Sequence, residues 1–157
     1  MSTYAQEAKE DLPHINKYKD KIISAANNCN VPPSVVAGII SRETRGGRGA
    51  GFTSDGWGDN RNAFGLMQVD IRYHMPQGAW DSQTHIEQGI GILQYFLTDF
   101  KDKRPSWSAA QQLKGALAAY NMGTERMDYN NVDAHTTGGD YSADVLARAE
   151  FFKRNGY

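Results

Sequence analysis

The fold of this chain is decided by the stretch Ser34-Val35-Val36-Ala37-Gly38-Ile39-Ile40-Ser41-Arg42-Glu43. Its apolar residues recur at spacings of three and four, which predicts an amphipathic helix. The two prolines that precede it are tolerated in a first helical turn, and we expect this helix to be the most buried one. Glu43 comes seven, four and three residues after Val36, Ile39 and Ile40, so an unbroken helix places its carboxylate on their apolar face.

The position of Glu43 suggests chemistry as well as structure. A carboxylate at the edge of an apolar face is partly desolvated, which raises its pKa and keeps it protonated as a general acid requires. The alternative is an ordinary glutamate in the last helical turn, either exposed or paired with Arg42 or Arg45. Position alone leaves both interpretations open, because structural ion pairs also perturb carboxyl groups.

Four further segments show helical periodicity. They run from about Leu12 to Asn28, from Thr84 to Phe100, from Ser108 to Tyr120 and from Tyr141 to Lys153. The second and third begin with the capping-box pattern, in Thr84-His85-Ile86-Glu87 and Ser108-Ala109-Ala110-Gln111. Helices therefore dominate, and with a small sheet between residues 56 and 70 the sequence predicts an α+β fold that is mainly α-helical.

The segment Phe64-Gly65-Leu66-Met67-Gln68-Val69 is typical of a short strand or hairpin arm, and two aspartates, Asp59 and Asp70, bracket it. On a period of two, Gln68 and Asp70 would share one face. One neutral acid and one ionised carboxylate are what glycosidic bond cleavage requires, so Glu43 and these aspartates are candidates for it. The alternative makes Asp59 a turn residue and Asp70 a strand-end cap.

Composition excludes several other classes. The chain has 157 residues, 39% hydrophobic and 22% charged, which indicates a single domain over residues 1–157. A net charge of -1 disfavours nucleic acid as a partner, and no apolar run approaches the roughly 20 residues of a membrane span. The one cysteine, Cys29, has no internal disulfide partner, and the four histidines lack metal-ligand spacing. We expect neither a metal nor another cofactor.

Four motifs make the chain resemble the goose-type lysozymes, in that family's order. They are Ile39-Ile40-Ser41-Arg42-Glu43-Thr44, Gly56-Trp57-Gly58-Asp59, Phe64-Gly65-Leu66-Met67-Gln68-Val69-Asp70 and Ala118-Ala119-Tyr120-Asn121-Met122-Gly123. The resemblance extends from about Asn16 to Tyr157. It implies a lysozyme-like fold with a small sheet lining a substrate cleft. It also implies a glycoside hydrolase that cleaves the β-1,4 bond between N-acetylmuramic acid and N-acetylglucosamine, with antibacterial lysis of cell walls as the result.

The resemblance also implies site residues and partners. Glu43 matches the family's general acid, and Asp59 and Asp70 match the two aspartates proposed to handle the attacking water. The residues implied to line the sugar subsites are Gln68, His74, Phe96, Tyr120, Asn121 and Tyr141. For His74, Phe96 and Tyr141 a packing role is an equal alternative. The implied partners are peptidoglycan and a protein inhibitor that plugs the cleft, and the chain is expected to act as a monomer.

The expected compartment is extracellular or lysosomal, because that is where this substrate occurs, although the first residues show no signal peptide. The avian members carry a cysteine-bearing N-terminal extension that this sequence does not show, so we expect no disulfide here.

Three functions remain in competition. The leading one is an inverting hydrolase with a bell-shaped pH profile, in which Glu43 is the acid and the aspartates activate water. The second is a lytic transglycosylase, a related class that uses a catalytic glutamate but closes the sugar's own hydroxyl onto the anomeric carbon. The third is a sugar-binding protein without catalysis. The two aspartates favour the hydrolase, because the intramolecular route of a transglycosylase needs no water-activating base.

Overall fold

The computed structural model describes residues 2–157, and within them the chain is mainly helical. The described residues contain six α-helices, α1 Thr3–Ile15, α2 Lys19–Asn28, α3 Pro33–Thr44, α4 Gln83–Lys103, α5 Ala109–Met122 and α6 Tyr141–Arg154. Three short strands, β1 Trp57–Gly58, β2 Ala63–Phe64 and β3 Val69–Asp70, form one antiparallel sheet in the order β1-β2-β3. The predicted α+β class is therefore confirmed. No helix in residues 2–157 is long and apolar enough to cross a membrane.

Helix α3 lies at the centre of the core, as predicted from its periodicity. Nine of its twelve residues are buried, and the side chains of Val36, Ile39 and Ile40 are fully inaccessible. Its closest neighbour is α6. At Gly38 the two backbones approach so closely that a Cβ atom would lie 2.7 Å from the carbonyl oxygen of Val145. The core thus holds α3 rigidly, and with it the residues of its last turn.

The N-terminal region differs from the prediction of one helix over residues 12–28. Helix α1 already begins at Thr3, where the Ser2 hydroxyl caps it by accepting a hydrogen bond from the N–H of Ala5 at 3.1 Å. A 3₁₀ turn over Asn16–Tyr18 then separates α1 from α2. The apolar pattern failed here because the buried face of α1 includes a charged residue, Asp11, which periodicity counts as exposed.

One of the two predicted capping boxes is wrong and the other is confirmed. Helix α4 is capped by Ser82, whose hydroxyl accepts from the His85 N–H at 3.1 Å, while Glu87 instead accepts from Asn28 of α2. At α5, the Ser108 hydroxyl accepts from the Gln111 N–H at 3.1 Å, and the Gln111 side chain accepts from the Ser108 N–H at 2.8 Å. Local pattern was sufficient at α5, whereas tertiary contacts chose the start of α4.

The predicted strand over residues 64–69 is instead a hairpin. Phe64 pairs with Val69, and residues 65–68 form the turn between β2 and β3. Gly65 at φ 82° and Gln68 at φ 53° reverse the chain, and the N–H of Gln68 donates to the Gly65 carbonyl at 3.0 Å. The expected alternation of Gln68 and Asp70 on one strand face is therefore wrong, because Gln68 belongs to the turn.

Candidate active site

An open cavity of about 430 Å³ lies where the end of α3 meets the sheet. Three segments surround it: the last turn of α3, the glycine-rich loop that follows, and the chain from the end of β1 to the hairpin turn. The lining residues are Glu43, Gly49, Ala50, Gly51, Phe52, Gly58, Asp59, Asn60 and Gln68. The cavity therefore contains two of the three predicted catalytic carboxylates, and it is the candidate for the substrate cleft.

Glu43 is half-buried at the edge of the cavity and makes one short hydrogen bond. The Tyr141 hydroxyl donates to its Oε2 atom at 2.7 Å. Burial raises the pKa of Glu43 from 4.5 to about 7, although the Tyr141 hydrogen bond and the positive charge of Arg42 act in the opposite direction and the charge of Asp59 adds to the rise. Desolvation is the largest of these effects because a carboxylate loses more hydration than a neutral carboxyl group. Glu43 is thus protonated on the acidic side of neutrality.

The alternative in which Glu43 pairs with a neighbouring arginine is wrong. Arg45 turns towards α1, where its Nε atom donates to Asp11 at 2.9 Å. Arg42 turns towards α6, where its Nη1 atom donates to Asp140 at 3.1 Å. Among residues 2–157, the Tyr141 hydroxyl is the one group that hydrogen-bonds the Glu43 carboxyl. The acid thus has no direct ion-pair partner, which is why burial dominates its pKa.

Asp59 reaches the cavity from a strained turn directly after β1. Asp59, Asn60 and Arg61 have φ values of 49°, 53° and 67°, so three successive non-glycine residues are left-handed. Such a conformation costs free energy at each residue and persists only where the surrounding fold imposes it, often at functional sites. The turn places Asp59 and Asn60 in the wall of the cavity that holds Glu43.

Asp70 is held differently. Its carboxylate accepts from Nε and Nη2 of Arg72 at 3.0 and 2.8 Å, and from the Arg72 backbone N–H at 2.9 Å. These hydrogen bonds from Arg72 keep the pKa of Asp70 below its ordinary value, despite partial burial. Asp70 lies at the end of β3 and does not line the cavity around Glu43. The structure therefore brings Asp59, but not Asp70, into that cavity. Residues 2–157 contain no cluster of His, Cys, Asp or Glu side chains suited to a metal ion.

Three helices hold the turn over residues 65–68 in place. The N–H of Met67 donates to Nε2 of His85 in α4 at 3.0 Å, and the Met67 carbonyl accepts from the Tyr120 hydroxyl of α5 at 2.6 Å. The hydroxyl of Thr44, at the end of α3, donates to the Leu66 carbonyl at 2.9 Å. The backbone polar groups of this turn are thus satisfied by buried partners, which fixes the turn relative to Glu43.

Gln68 is the predicted sugar-contacting residue that the structure places clearly in the cavity. Its amide Nε2 atom donates to the Gly65 carbonyl at 3.0 Å. Its Oε1 atom lies against Gly58, where an added Cβ would come within 2.2 Å. A side chain at position 58 would therefore displace the Gln68 amide from its place beside Gly58. This arrangement leaves the Gln68 side chain as part of the cavity wall.

The other predicted contact residues lie in several environments. Tyr120 and Tyr141 direct their hydroxyls at Met67 and Glu43, as described above. Asn121 uses both ends of its amide on Thr137, donating to the hydroxyl at 3.2 Å and accepting from the backbone N–H at 3.0 Å. Phe96 packs half-buried against the core and His74 is exposed after β3. The cavity is lined by none of these five side chains.

Sequence reasoning missed His85 and the glycine-rich loop. His85 was assigned only to the start of a helix, because its contact with Met67 depends on the packing of α4 against the hairpin. No functional role was predicted for residues 49–52, yet they form one wall of the cavity. Their position directly after the helix that carries Glu43 was the available signal.

Comparison with known proteins adds an independent line of evidence. The family described as Lysozyme g matches residues 2–156. The chain is 46% identical to lysozyme g of Epinephelus coioides, with 93% of this chain and 79% of the relative aligned. It is 47% identical to lysozyme g of Takifugu rubripes, with 94% and 80% aligned. With lysozyme g of Gallus gallus the identity is 45%, with 96% and 70% aligned.

Proposed function

The chain belongs to the lysozyme g family and is a muramidase acting on peptidoglycan, and from this premise we propose that Glu43 is its general acid and that cleavage inverts the anomeric centre. The main observation in support of this proposal is that Glu43 and Asp59 line the same cavity. Glu43 is half-buried, with a pKa raised to about 7 by desolvation, and Asp59 lines the same cavity from another element. Two carboxyl groups in unequal environments are the arrangement that glycosidic bond cleavage requires.

The first step is proton donation by Glu43. With a pKa of about 7 the group carries its proton at mildly acidic pH and releases it when the leaving oxygen acquires charge. The Tyr141 hydroxyl donates to the Glu43 carboxylate. It therefore stabilises the ionised acid that remains once the proton has moved to the glycosidic oxygen. Donation leaves the leaving sugar with a neutral hydroxyl.

Water attacks from the opposite face of the sugar ring, and we assign its activation chiefly to Asp59. Inverting enzymes separate their two carboxyl groups by roughly 6.5–9.5 Å so that a water fits between sugar and base. The cavity of about 430 Å³ accommodates a sugar ring and that water. Asp70, bound to Arg72 at the end of β3, supports the site from outside the cavity, and the charge of Asp59 also acts on Arg72.

Sugar recognition follows from the cavity wall. The amides of Gln68 and Asn60 suit hydroxyl and N-acetyl groups, and the ring of Phe52 offers an apolar face to a sugar. Tyr120 and Asn121 act through the backbone segments that they hold, while His74 and Phe96 lie outside this part of the cleft. Glu43 and Asp59 line one cavity of the same chain, so the proposed mechanism requires no second copy.

Product analysis tests the proposal. Purified peptidoglycan is digested with the wild type and with Glu43→Gln, and the muropeptides are analysed by mass spectrometry and proton NMR. We expect reducing muramic ends, an initial α anomer and no product from Glu43→Gln. Predominantly 1,6-anhydromuramic ends would identify a transglycosylase, and an initial β anomer would identify retention. Binding of N-acetylglucosamine oligomers without any product would identify a sugar-binding protein.

A further inference from the structure

Arg42 directly precedes Glu43 in sequence, and its side chain lies where α3 meets α6. Its Nη1 atom donates to Asp140 at 3.1 Å and to Asp144, and its Nη2 atom donates to the Thr137 carbonyl at 2.9 Å. Only 18% of the Arg42 side chain is exposed. Three partners therefore fix the plane of this guanidinium group.

The same guanidinium group lies over the ring of Tyr141, with its central carbon 5.2 Å from the ring centroid. A cation at this distance from an aromatic face is attracted to it. At the far end of the ring, the Tyr141 hydroxyl donates to Glu43. Arg42 thus contacts the side chain that makes the one hydrogen bond to the proposed acid, without itself contacting the acid.

The carboxylates that hold Arg42 are themselves held by other elements. The second oxygen of Asp140 accepts from the Tyr4 hydroxyl of α1 at 2.7 Å. The second oxygen of Asp144 accepts from Nε of Arg148 at 2.7 Å, and Asp144 is almost completely buried. Because each carboxylate has a second partner, neither is free to draw Arg42 away from Tyr141. The Arg42 guanidinium group and its two carboxylate partners are therefore held in one arrangement.

We propose that Arg42 is a positioning residue for the general acid: clamped by Asp140 and Asp144, it fixes the Tyr141 ring so that the phenol meets Glu43 in one geometry. This inference rests on the proposed role of Glu43. The charged and titratable groups that act on Glu43 are Arg42 from α3, Asp59 from the turn after β1, Tyr120 from α5 and Tyr141 from α6. Of these groups, Arg42 alone is cationic.

Three changes in Arg42→Met determine the direction in which the pKa of Glu43 shifts. The variant lacks the charge that stabilises ionised Glu43, leaves Asp140 without its arginine and Asp144 with Arg148 alone, and releases the Tyr141 ring. Each change disfavours the Glu43 carboxylate. We expect the basic limb of the kcat/KM profile to move up by about 1 pH unit. We also expect kcat at the optimum to fall about 10-fold or more, because a displaced acid is poorly aligned for proton transfer.

Arg45→Met is the matched control. Arg45 lies three residues further along and donates to Glu10 and Asp11 of α1. It hydrogen-bonds neither Asp140 nor Asp144. This variant should lose stability but keep the basic limb of the wild type. Arg42→Lys retains the positive charge but not the planar contact with the Tyr141 ring. Its basic limb should therefore lie close to the wild-type pH, while its kcat should recover only in part.

A double-mutant cycle with Tyr141→Phe separates positioning from general destabilisation. If Arg42 acts through the phenol, Arg42→Met lowers kcat much less in Tyr141→Phe than in the wild type. The proposal would be overturned if the double variant lost kcat by the product of the two single losses and the basic limb of Arg42→Met did not move. If Arg42→Met does not fold, as judged by circular dichroism, Asp140→Asn removes one clamp at constant shape and keeps the Arg42 cation, so kcat should fall in the wild-type background and fall much less in Tyr141→Phe. An unchanged kcat in folded Asp140→Asn, or an equal loss in both backgrounds, would then overturn the proposal.

The proposed function is tested independently of the role of Arg42. It requires Glu43→Gln to be inactive, whatever the result at Arg42. Inactive Glu43→Gln together with a wild-type profile for Arg42→Met would reject the positioning role alone. Activity in Glu43→Gln would reject the general acid and the inference that rests on it.

Discussion

The Nε2 atom of the fully buried His85 accepts a hydrogen bond from the backbone N–H of Met67 at 3.0 Å. An accepting Nε2 requires the neutral imidazole with its proton on Nδ1. Within residues 2–157, that Nδ1 has no hydrogen-bond partner. Burial lowers the pKa of His85 from 6.5 to about 4, and the charge of Asp81 offsets only part of this effect. The hairpin turn beside the active site therefore depends on a histidine that must remain uncharged.

We predict that His85 makes the free energy of unfolding decrease in acid. Its pKa is lower in the folded state, so the unfolded chain binds more protons between pH 6.5 and about 4. Stability from this group is complete above about 6.5 and is lost as the pH falls towards 4, by about 3 kcal/mol in total. Urea unfolding of the wild type and of His85→Gln, whose side-chain oxygen can accept from Met67, measures the difference.

The wild type must be compared with a His85 variant because Glu43 changes the free energy of unfolding with pH in the opposite direction to His85. Its pKa is raised in the folded state, so its contribution to stability decreases as the pH rises from 4.5 to about 7. The difference between wild type and His85→Gln isolates the histidine. His135→Gln, at an exposed position, is the control and should leave the pH dependence unchanged. Equal pH dependence in His85→Gln and the wild type would contradict the prediction.

Activity should decrease as the pH rises through about 7, where Glu43 loses its proton. In Tyr141→Phe the carboxylate loses its hydrogen-bond donor, so the pKa of Glu43 rises and the basic limb moves to higher pH by roughly 1 unit. The pH dependence of kcat/KM on purified peptidoglycan reports these free-enzyme values. A basic limb that moves to lower pH would show that Tyr141 favours the protonated acid instead.

The two aspartates should differ in their contribution to catalysis. Asp59 lines the cavity with Glu43, whereas Asp70 is bound by Arg72. We expect Asp59→Asn to lower kcat by roughly 100-fold, the lower end of general-base effects, and Asp70→Asn by less than about 10-fold. Replacing both should cost more than the product of the separate losses, because Asp70 partly substitutes for Asp59. Equal losses at the two positions would assign them equivalent roles.

Two glycine-to-alanine variants test the close packing of α3 on α6. At Gly38 an added Cβ would lie 2.7 Å from the Val145 carbonyl, and that backbone cannot move without displacing α6. Gly38→Ala should therefore lower the free energy of unfolding by about 2 kcal/mol. An added Cβ at Gly91, in α4, would have no atom within 4 Å. Gly91→Ala should therefore raise the free energy of unfolding by roughly 0.5–1 kcal/mol. Denaturant unfolding measures both, and a neutral Gly38→Ala would mean that the helices can separate.

The sequence by itself determined the features that depend on short separations along the chain. The spacing of apolar residues in α3 predicted a buried helix with Glu43 on its apolar side, and the Ser108–Gln111 capping box predicted the start of α5. The motifs around Glu43, Asp59 and Tyr120 predicted the family. Helix periodicity and capping act within one or two turns, so they can be interpreted without knowledge of the fold.

The tertiary structure decided which of those residues act on one another. Glu43 and Tyr141 are separated by 98 residues, and only the packing of α3 on α6 brings the phenol to the carboxyl. The turn at Gln68, which replaced the expected strand, is held by Thr44, His85 and Tyr120 from three different helices. The raised pKa of Glu43 has the same origin, because desolvation depends on every segment that encloses a group and local spacing describes only one of them.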